Sequence, residues 1–304
     1  LVLEEDHKRL KAYVDKYLNG EIQTYNIEFR MKHKEGGVKW ILAKGQALRD
    51  ENGIPYRMAG SHSDISDRKT NEIYQNLSNE VLKILNHNIS IKQAAKKMLQ
   101  IIKEKTNTDA VGIRFEFNND YPYFEQLGFP EEFLVLENSL IERNALNEIC
   151  RNEDGTQSLE CTCGLVLSGQ TDPKSPLFTE FGSCWTNDSF PILNLPLNED
   201  PRDNPRNNCI HYGYASIAIV PIKDKEKIIG LLQLNSNNKN HFTIEAIHHL
   251  ESIAVFIGDS ISRIKSEELI KENEKTLLNI MENIPYAVFA HDLTGKFILT
   301  NNTA

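Results

Sequence analysis

All five cysteines of this chain lie within one segment of 60 residues, Cys150 to Cys209. Two of them, Cys161 and Cys163, are one residue apart in the stretch SLECTCGLVLSGQ. If that stretch is extended, both sulfurs point to the same side. Cys209 and His211 repeat the spacing in NCIHYG. Because thiolate and imidazole groups bind zinc, C-x-C with C-x-H could supply a tetrahedral site of Cys161, Cys163, Cys209 and His211.

The same thiols allow other chemistry. C-x-C and C-x-H differ from the usual C-x-x-C spacing of structural zinc, so zinc or an iron–sulfur cluster is a less favoured occupant. Thiol redox sensing needs a thiolate stabilised by a cation, and Arg206 is close to Cys209 in sequence. Free cysteines also behave as small buried hydrophobic residues, the interpretation we favour for Cys150 and Cys184. The odd number of cysteines argues against a disulfide framework.

Three further side chains near the cysteines could contact a ligand. Trp185 and Tyr214 could stack on a planar molecule, although large aromatic residues in a loop-rich cover are more often part of a core. Arg206 could bind an anion, although an arginine in a loop is commonly solvated. This loop, NEDPRDNPRNN, is rich in Pro, Asn and Asp and is predicted to be exposed.

The composition is that of a globular protein of about two domains, with 40% hydrophobic residues in 304. The net charge is −9, and Lys and Arg are interleaved with Asp and Glu. We therefore expect neither nucleic acid nor an anionic membrane as a partner. The longest apolar runs fall short of the roughly 20 residues that cross a bilayer, and no signal peptide precedes Leu1. These features predict a cytoplasmic location.

Residues 1–70 alternate apolar and polar side chains and predict three antiparallel strands after one helix. A turn in DENG separates the second and third strands, and DISDRK begins the next helix. This order resembles the C-terminal half of a PAS domain, the PAC region. The resemblance is carried by Lys34 to Gly37, Trp40, Asp50 to Pro55, and Gly60 to Lys69.

Residues 71–265 predict two amphipathic helices, a strand, a long irregular middle, a hairpin and a final helix capped by Thr243. This order resembles a GAF domain over its whole length. It is carried by Val220 to Ile222, Gly230 to Leu232, Phe242, and the helix from Glu245 to Ile261. In detail the stretch is similar to a GAF subtype found beside PAS domains in bacterial and archaeal sensor kinases. That likeness is carried by residues 159–164, 169–173, 178–179, 182–187 and 206–216.

The GAF resemblance implies a small-molecule pocket between the irregular middle and the sheet, with the cysteines near it. It also implies haem or another tetrapyrrole as an alternative cofactor, held by one thiol such as Cys163, Cys184 or Cys209. The residues singled out for cofactor contact are Cys161, Cys163, Cys209, His211, Trp185, Arg206 and Tyr214.

The chain from Thr243 to about Asn283 predicts one unbroken helix with apolar residues recurring every three or four positions. Residues 266–284 are interpreted as a coiled-coil linker, and the helix 243–284 as the contact of a homodimer. Residues 285–304 resemble the start of a second PAS domain.

The predicted class is α+β, with PAS and GAF domains, antiparallel sheets flanked by helices, joined by long signalling helices. The resemblance implies a sensory input module of a two-component sensor histidine kinase. Its partners would be a small ligand, a downstream kinase domain and a response regulator in a phosphorelay. No phosphoacceptor histidine box or nucleotide-binding motif is visible, so we expect no catalysis by this chain itself. The alternatives are a haem- or metal-bearing redox sensor, a thiol or metal enzyme, an inert dimerising spacer, and an output that is a cyclase or a transcription regulator.

Overall fold

A computed structural model describes residues 1–34, 37–87, 89–196, 200, 202 and 205–302. The chain divides into two compact units, Leu1–Leu77 and Ser78–Ala304. Within the described ranges, no helix is both long enough and apolar enough to cross a membrane.

The first unit is an antiparallel meander preceded by a helix. Helix α1 (Glu4–Leu18) is followed by β1 (Tyr25–Lys32), β2 (Val38–Arg49) and β3 (Pro55–Asp64), in sheet order β1-β2-β3. Helix α2 (Ser66–Leu85) begins where DISDRK predicted a helix start, and Asp64 accepts the backbone N–H of Ser66 at 2.9 Å. The three-strand prediction is confirmed, although Glu35 and Gly36 of the first turn lie outside the described residues.

An ion pair joins α1 to the first strand. The Asp6 carboxylate is 5% exposed and accepts hydrogen bonds from the Arg30 backbone N–H at 2.7 Å and from its Nε at 3.1 Å. The side-chain hydrogen bond from Arg30 is the main reason that the pKa of Asp6 is lowered to about 2. Beneath the pair, Ile27, Phe29 and Ala43 form a small core.

The second unit is built on a five-stranded antiparallel sheet in the order β5-β4-β8-β7-β6. Its first elements in chain order are α3 (Ile91–Thr106), β4 (Ala110–Phe115), β5 (Tyr123–Leu127), α4 (Glu131–Glu137), α5 (Cys161–Ser168) and β6 (Cys184–Thr186). A 3-10 turn (Phe190–Asn194), α6 (Asn208–His211), β7 (Ser216–Asp224), β8 (Lys227–Ser236), α7 (Ile244–Glu282), β9 (Phe289–His291) and β10 (Phe297–Thr300) follow. The predicted hairpin is therefore β7 and β8, whereas β9 and β10 form a separate two-stranded sheet.

The two faces of this sheet have different partners. Strand alternation places Ala218, Val220 and Ile222 on one face, against the buried residues of α7. It places Ile217 and Ile219 on the other face, where α5 packs. We call the described residues of 128–183 and 187–215 the cover; they precede and follow β6, and α5 among them packs on this second face. The cover is the irregular middle of the sequence, and it positions the cysteines.

Helix α7 is 39 residues long, and the burial of its apolar side chains differs between its two halves. Thr243 caps it by accepting the N–H of Ala246 at 3.2 Å, as predicted. Its buried residues run from Ala246 to Ile261. Beyond this point its apolar side chains are exposed, with Ile270 56% and Leu277 61% accessible.

Candidate functional site

The stretch that carries the C-x-C pair is helical. It forms α5, Cys161–Ser168, so the expectation of an extended segment is wrong. In a helix, residues two apart point in different directions, and accordingly Cys163 is buried while Cys161 is half-buried. Cys161 enters the helix with φ +60°, a left-handed conformation uncommon for a residue with a side chain, and Gly169 ends it with φ +71°.

Four of the five cysteines nevertheless line one cavity between the cover and the sheet. The cavity has a volume of about 50 Å³. Its lining consists of thiols, aliphatic strand residues and a few polar groups, including Cys161, Cys163, Cys184, Cys209, Glu137, Thr186, Arg202, Ile217 and Ile219. Cys184 belongs to this wall, although the sequence favoured only a packing role for it. Cys150 is not part of the lining.

Arg206 fastens the cover beside this cavity. Its Nη1 donates to the carbonyl of Leu136, in the last turn of α4, at 2.7 Å, and its Nη2 donates to the carbonyl of Ser139, just after α4, at 2.9 Å. Its Nε lies 2.7 Å from a Glu160 carboxylate oxygen. These contacts occupy the guanidinium, so the structure does not present Arg206 as a free anion ligand.

Arg206 also contacts a different thiol from the one that its sequence position suggested. Its backbone N–H donates to Cys161 Sγ at 2.9 Å. Cys209 instead accepts a hydrogen bond from Gln233 Nε2 at 3.3 Å. The pairing of Arg206 with Cys209, expected from sequence, is therefore replaced by a pairing with Cys161.

The electrostatic environment keeps these thiols protonated. Burial raises the pKa of Cys163 and of Cys184 to about 12. Burial, followed by the negative charge of Glu137, also raises the pKa of Cys161 and of Cys209. A redox-sensing thiol needs a depressed pKa, and these four shifts run in the opposite direction.

Two buried charged residues, Arg114 and Glu137, were missed by the sequence reasoning. Arg114 on β4 donates to the carbonyls of Tyr121 at 2.7 Å and of Glu137 at 2.6 Å, and its guanidinium lies 3.6 Å from the centre of the Tyr123 ring. The Glu137 carboxylate faces the cavity and accepts a hydrogen bond from Asn208 Nδ2 at 2.8 Å. The signal available for Arg114 was a single charge within the apolar strand AVGIRF.

The cover loop is also less exposed than its composition predicted. Arg202 lines the cavity, and its side chain is 7% exposed; its Nε and Nη2 donate to the two carboxylate oxygens of Asp200 at 2.7 Å, and its Nη1 donates to Asn207 Oδ1 at 2.7 Å. The loop residues 198, 199, 201, 203 and 204 lie outside the described residues.

The remaining candidate residues lie away from the cavity lining. Tyr214 is buried against the rings of Phe129 and Phe133. Trp185 alternates with Cys184 on β6 and therefore points to the opposite face. His211 is exposed at the end of α6 and is not among the lining residues. The structure thus brings together the three cysteines of the predicted site but not its histidine.

The cavity does not fit a tetrapyrrole. Its 50 Å³ is well below the roughly 300–1,000 Å³ of sites that hold drug-sized ligands, and its described lining contains no histidine. Among the residues that the structure describes, no group of three or more His, Cys, Asp or Glu side chains is placed to hold a metal ion. The observed arrangement accommodates a ligand of only a few heavy atoms unless the cover moves.

A larger, polar cleft lies on the other side of α5. Its volume is about 640 Å³, and it is lined by polar residues that include Tyr121, Arg151, Gln157 and Lys227. Cys161 lines both this cleft and the smaller cavity. The first turn of α5 therefore lies between the small cysteine-lined cavity and the larger polar cleft.

Comparison with known proteins identifies the two units. Residues 90–261 match the family model described as GAF domain, and residues 1–62 match the model described as PAS fold. The chain is 30% identical over 90 residues to the sensor histidine kinase YhcY of Bacillus subtilis (strain 168), which is 28% of this chain and 24% of that protein. It is 29% identical over 82 residues to the probable diguanylate cyclase DgcE of Escherichia coli (strain K12), 27% of this chain and 7% of that protein. The matches therefore span a quarter or less of these relatives.

Two solved structures illustrate what this chain is similar to. One is the GAF domain of an Acinetobacter phosphoenolpyruvate-protein phosphotransferase, at 13% identity and a TM-score of 0.42, covering 63% of this chain and 94% of that chain. The other is a sensory box histidine kinase/response regulator from Burkholderia thailandensis E264, at 35% identity and a TM-score of 0.25, covering 27% of this chain and 62% of that chain.

Proposed function

This chain belongs to the GAF domain family, whose model covers more than half of its residues, and from that premise we propose that it is the sensory input module of a signal-transduction protein. A small ligand enters the cysteine-lined cavity of the GAF domain. The ligand favours one of two packings of the cover, and α7 carries that bias to an output domain. A ligand shifts such an equilibrium only by its differential affinity for the two packings.

The observation that carries this proposal is the small cysteine-lined cavity between cover and sheet. One wall is the sheet, through Ile217 and Ile219, and the other is the cover, through Cys163 and Arg202. Within the cover, Arg206 joins its own loop to the last turn of α4 and to Ser139 just after it. A ligand that needs more than 50 Å³ must displace this cover, so occupancy and cover position are linked.

Helix α7 supports the relay part of the proposal. Its first half packs on the sheet, and its second half carries exposed apolar side chains such as Ile270 and Leu277, seven residues apart. That spacing is typical of a parallel coiled coil. We infer a homodimer in which the second copy covers this face, so that both GAF domains act on one output.

The output is proposed to be a histidine kinase that transfers phosphate from ATP and acts on a response regulator. The relative that is a sensor histidine kinase supports this assignment, and the relative that is a probable diguanylate cyclase supports a cyclase as the second candidate. We also propose a cytoplasmic location, which is supported by five free thiols. Sequencing the complete reading frame distinguishes the outputs, because a phosphoacceptor-histidine and ATPase pair or a cyclase domain would be directly visible.

The ligand site is tested by binding measurements on the 304-residue chain. A panel of neutral and anionic metabolites and dissolved diatomic gases is screened by thermal shift, and each hit is titrated by calorimetry. Cys163→Met adds two heavy atoms to the cavity wall and is expected to weaken binding at least tenfold. Cys150→Met makes the same change outside the cavity and is expected to leave the affinity unchanged. A ligand that binds both variants equally would contradict the proposed site.

A further inference from the structure

A buried carboxylate on α7 reaches into the cover. Glu251 is 8% exposed, and one of its oxygens, Oε1, accepts hydrogen bonds from the hydroxyls of Thr179 and Ser183, the second at 2.7 Å. Both hydroxyl residues are buried, Ser183 fully. A buried carboxylate is costly unless it is hydrogen-bonded, so these two hydroxyls hold Glu251 to one place in the cover.

The residues that Glu251 contacts form one tight turn that ends at the cavity. The Thr179 N–H donates to the Ser183 carbonyl at 2.9 Å, and the Ser183 N–H donates to Thr179 Oγ1 at 3.1 Å. Immediately outside the turn, Phe178 and Cys184 pair as an antiparallel bridge. Because Cys184 lines the 50 Å³ cavity, the turn connects the cavity wall directly to Glu251.

The same face of α7 is fixed to the sheet two turns further along. Gly258 lies seven residues after Glu251, and a Cβ added there would stand 1.9 Å from the Lys223 carbonyl oxygen on β7. The Lys223 ammonium in turn donates to the Phe181 carbonyl at 2.7 Å, within the Thr179–Ser183 turn. The helix, the strand and the turn therefore form a closed ring of contacts.

We propose that Glu251 is the positioning residue that couples the cavity to α7, an inference that rests on the proposed sensory function. A shift of the cavity wall at Cys184 moves the turn. The turn then moves the helix, because the residue 251 oxygen cannot leave its two hydroxyl donors without becoming a buried acceptor that lacks hydrogen bonds. The close approach at Gly258 makes the helix respond as a unit instead of bending at residue 251. The movement then reaches residues 262–282, where α7 leaves the buried part of the domain.

The coupling is tested by hydrogen exchange with mass spectrometry on the 304-residue chain. Cys184→Met adds two heavy atoms to the cavity wall and serves as the probe for an occupied cavity, and Cys184→Val is the milder version. Each Cys184 substitution is combined with Glu251→Ala, which removes the oxygen that accepts the two hydroxyl hydrogen bonds. Each is also combined with Glu251→Gln, which retains an amide oxygen that can accept them. The matched control on α7 is Asp259→Ala, at an exposed position on the same helix. The readout is the rate of amide hydrogen exchange in residues 262–282, which follow all three mutated positions in the sequence.

We expect the Cys184 substitution to change exchange in 262–282 about fivefold or more when residue 251 is Glu or Gln, the lower end of typical coupling. With Glu251→Ala the change falls below about twofold, whereas Asp259→Ala leaves it intact. If the Cys184 substitution acts equally with and without Glu251, the relay stands but Glu251 does not carry it. If neither Cys184 substitution affects 262–282 even beside Glu251, the relay of the proposed function fails as well.

Discussion

The backbone N–H of Arg206 donates to Cys161 Sγ over 2.9 Å, joining residues 45 positions apart in the sequence. The contact ties two segments of the cover together at the first residue of α5, which lines both the small cavity and the larger polar cleft. The side chain of Arg206 strengthens the same junction through the carbonyls of Leu136 and Ser139. Arg206 and Cys161 therefore join two segments of the cover beside the cavity.

The first prediction is that Arg206→Lys loosens the cover. A lysine keeps the positive charge but cannot reach both carbonyls and Glu160 at once. We expect a loss of about 2 kcal/mol in the free energy of unfolding, because hydrogen bonds to charged groups contribute about that much each. Urea unfolding measures this loss, and labelling of Cys161 by maleimide should become faster. Arg143→Lys, in an exposed turn, is the control and should change stability by less than about 0.5 kcal/mol.

The second prediction concerns thiol reactivity. With a pKa of about 12, Cys163 and Cys184 are thiolate in roughly one molecule in 10,000 at pH 8. We expect a short iodoacetamide pulse to label the half-buried Cys150 and Cys161 first and to label Cys163 and Cys184 only in denaturant. Peptide mass spectrometry resolves the four sites. Fast labelling of Cys163 or Cys184 in the folded chain would contradict the protonated, enclosed environment described above.

The sequence predicted the regular elements well because their patterns are local. Strand alternation around Ile27 and Phe29 and the turn at Asp50 to Pro55 depend on residues close together in the chain, and the meander formed as expected. The β7–β8 hairpin and the Thr243 cap are local in the same way. Each of these predictions needed only the repeat of apolar residues, a turn motif or a helix-capping residue. None of these signals depends on a distant part of the chain.

The site was harder to predict because it is assembled from distant segments. The stretch ECTCG could be extended or helical by composition, and its helical form depends on packing against β7 and β8. The contact of Arg206 with Cys161 and the turn around Glu251 join residues 45 and about 70 positions apart. Sequence proximity therefore favoured Cys209 for Arg206, and only the GAF resemblance, not the spacing of the residues, indicated that Cys184 and Cys163 would lie near the same pocket.

The third prediction is a pH dependence of the first unit. Arg30 lowers the pKa of Asp6 from 3.8 to about 2. A lowered pKa in the folded state adds stability that is present above about pH 4 and is lost as the pH falls through about 2. Asp6→Asn should therefore destabilise the unit at pH 7 and flatten its acid dependence between those values.

This dependence is measured by urea unfolding at several pH values, followed by the fluorescence of Trp40. The chain has two tryptophans, so the measurement uses a Trp185→Phe background in which emission reports the first unit alone. Asp15→Asn, an exposed substitution on the same helix, should retain the parental pH dependence. An equal acid dependence with and without Asp6 would show that the Asp6–Arg30 pair does not control this transition.

The fourth prediction is that residues 262–282 of α7 form the contact between the two copies of a homodimer. Ile270 and Leu277 are more than half exposed and lie seven residues apart, so a second copy would bury both along one seam. Replacing both with Glu places like charges opposite one another in that seam, and we expect the dimer to weaken at least tenfold in sedimentation equilibrium. Leu146→Glu, at a 79% exposed position outside the helix, should leave the dimer intact. If the wild-type chain sediments as a monomer, or if the double variant dimerises as well as the control, α7 is not the dimer contact and each GAF domain must signal alone.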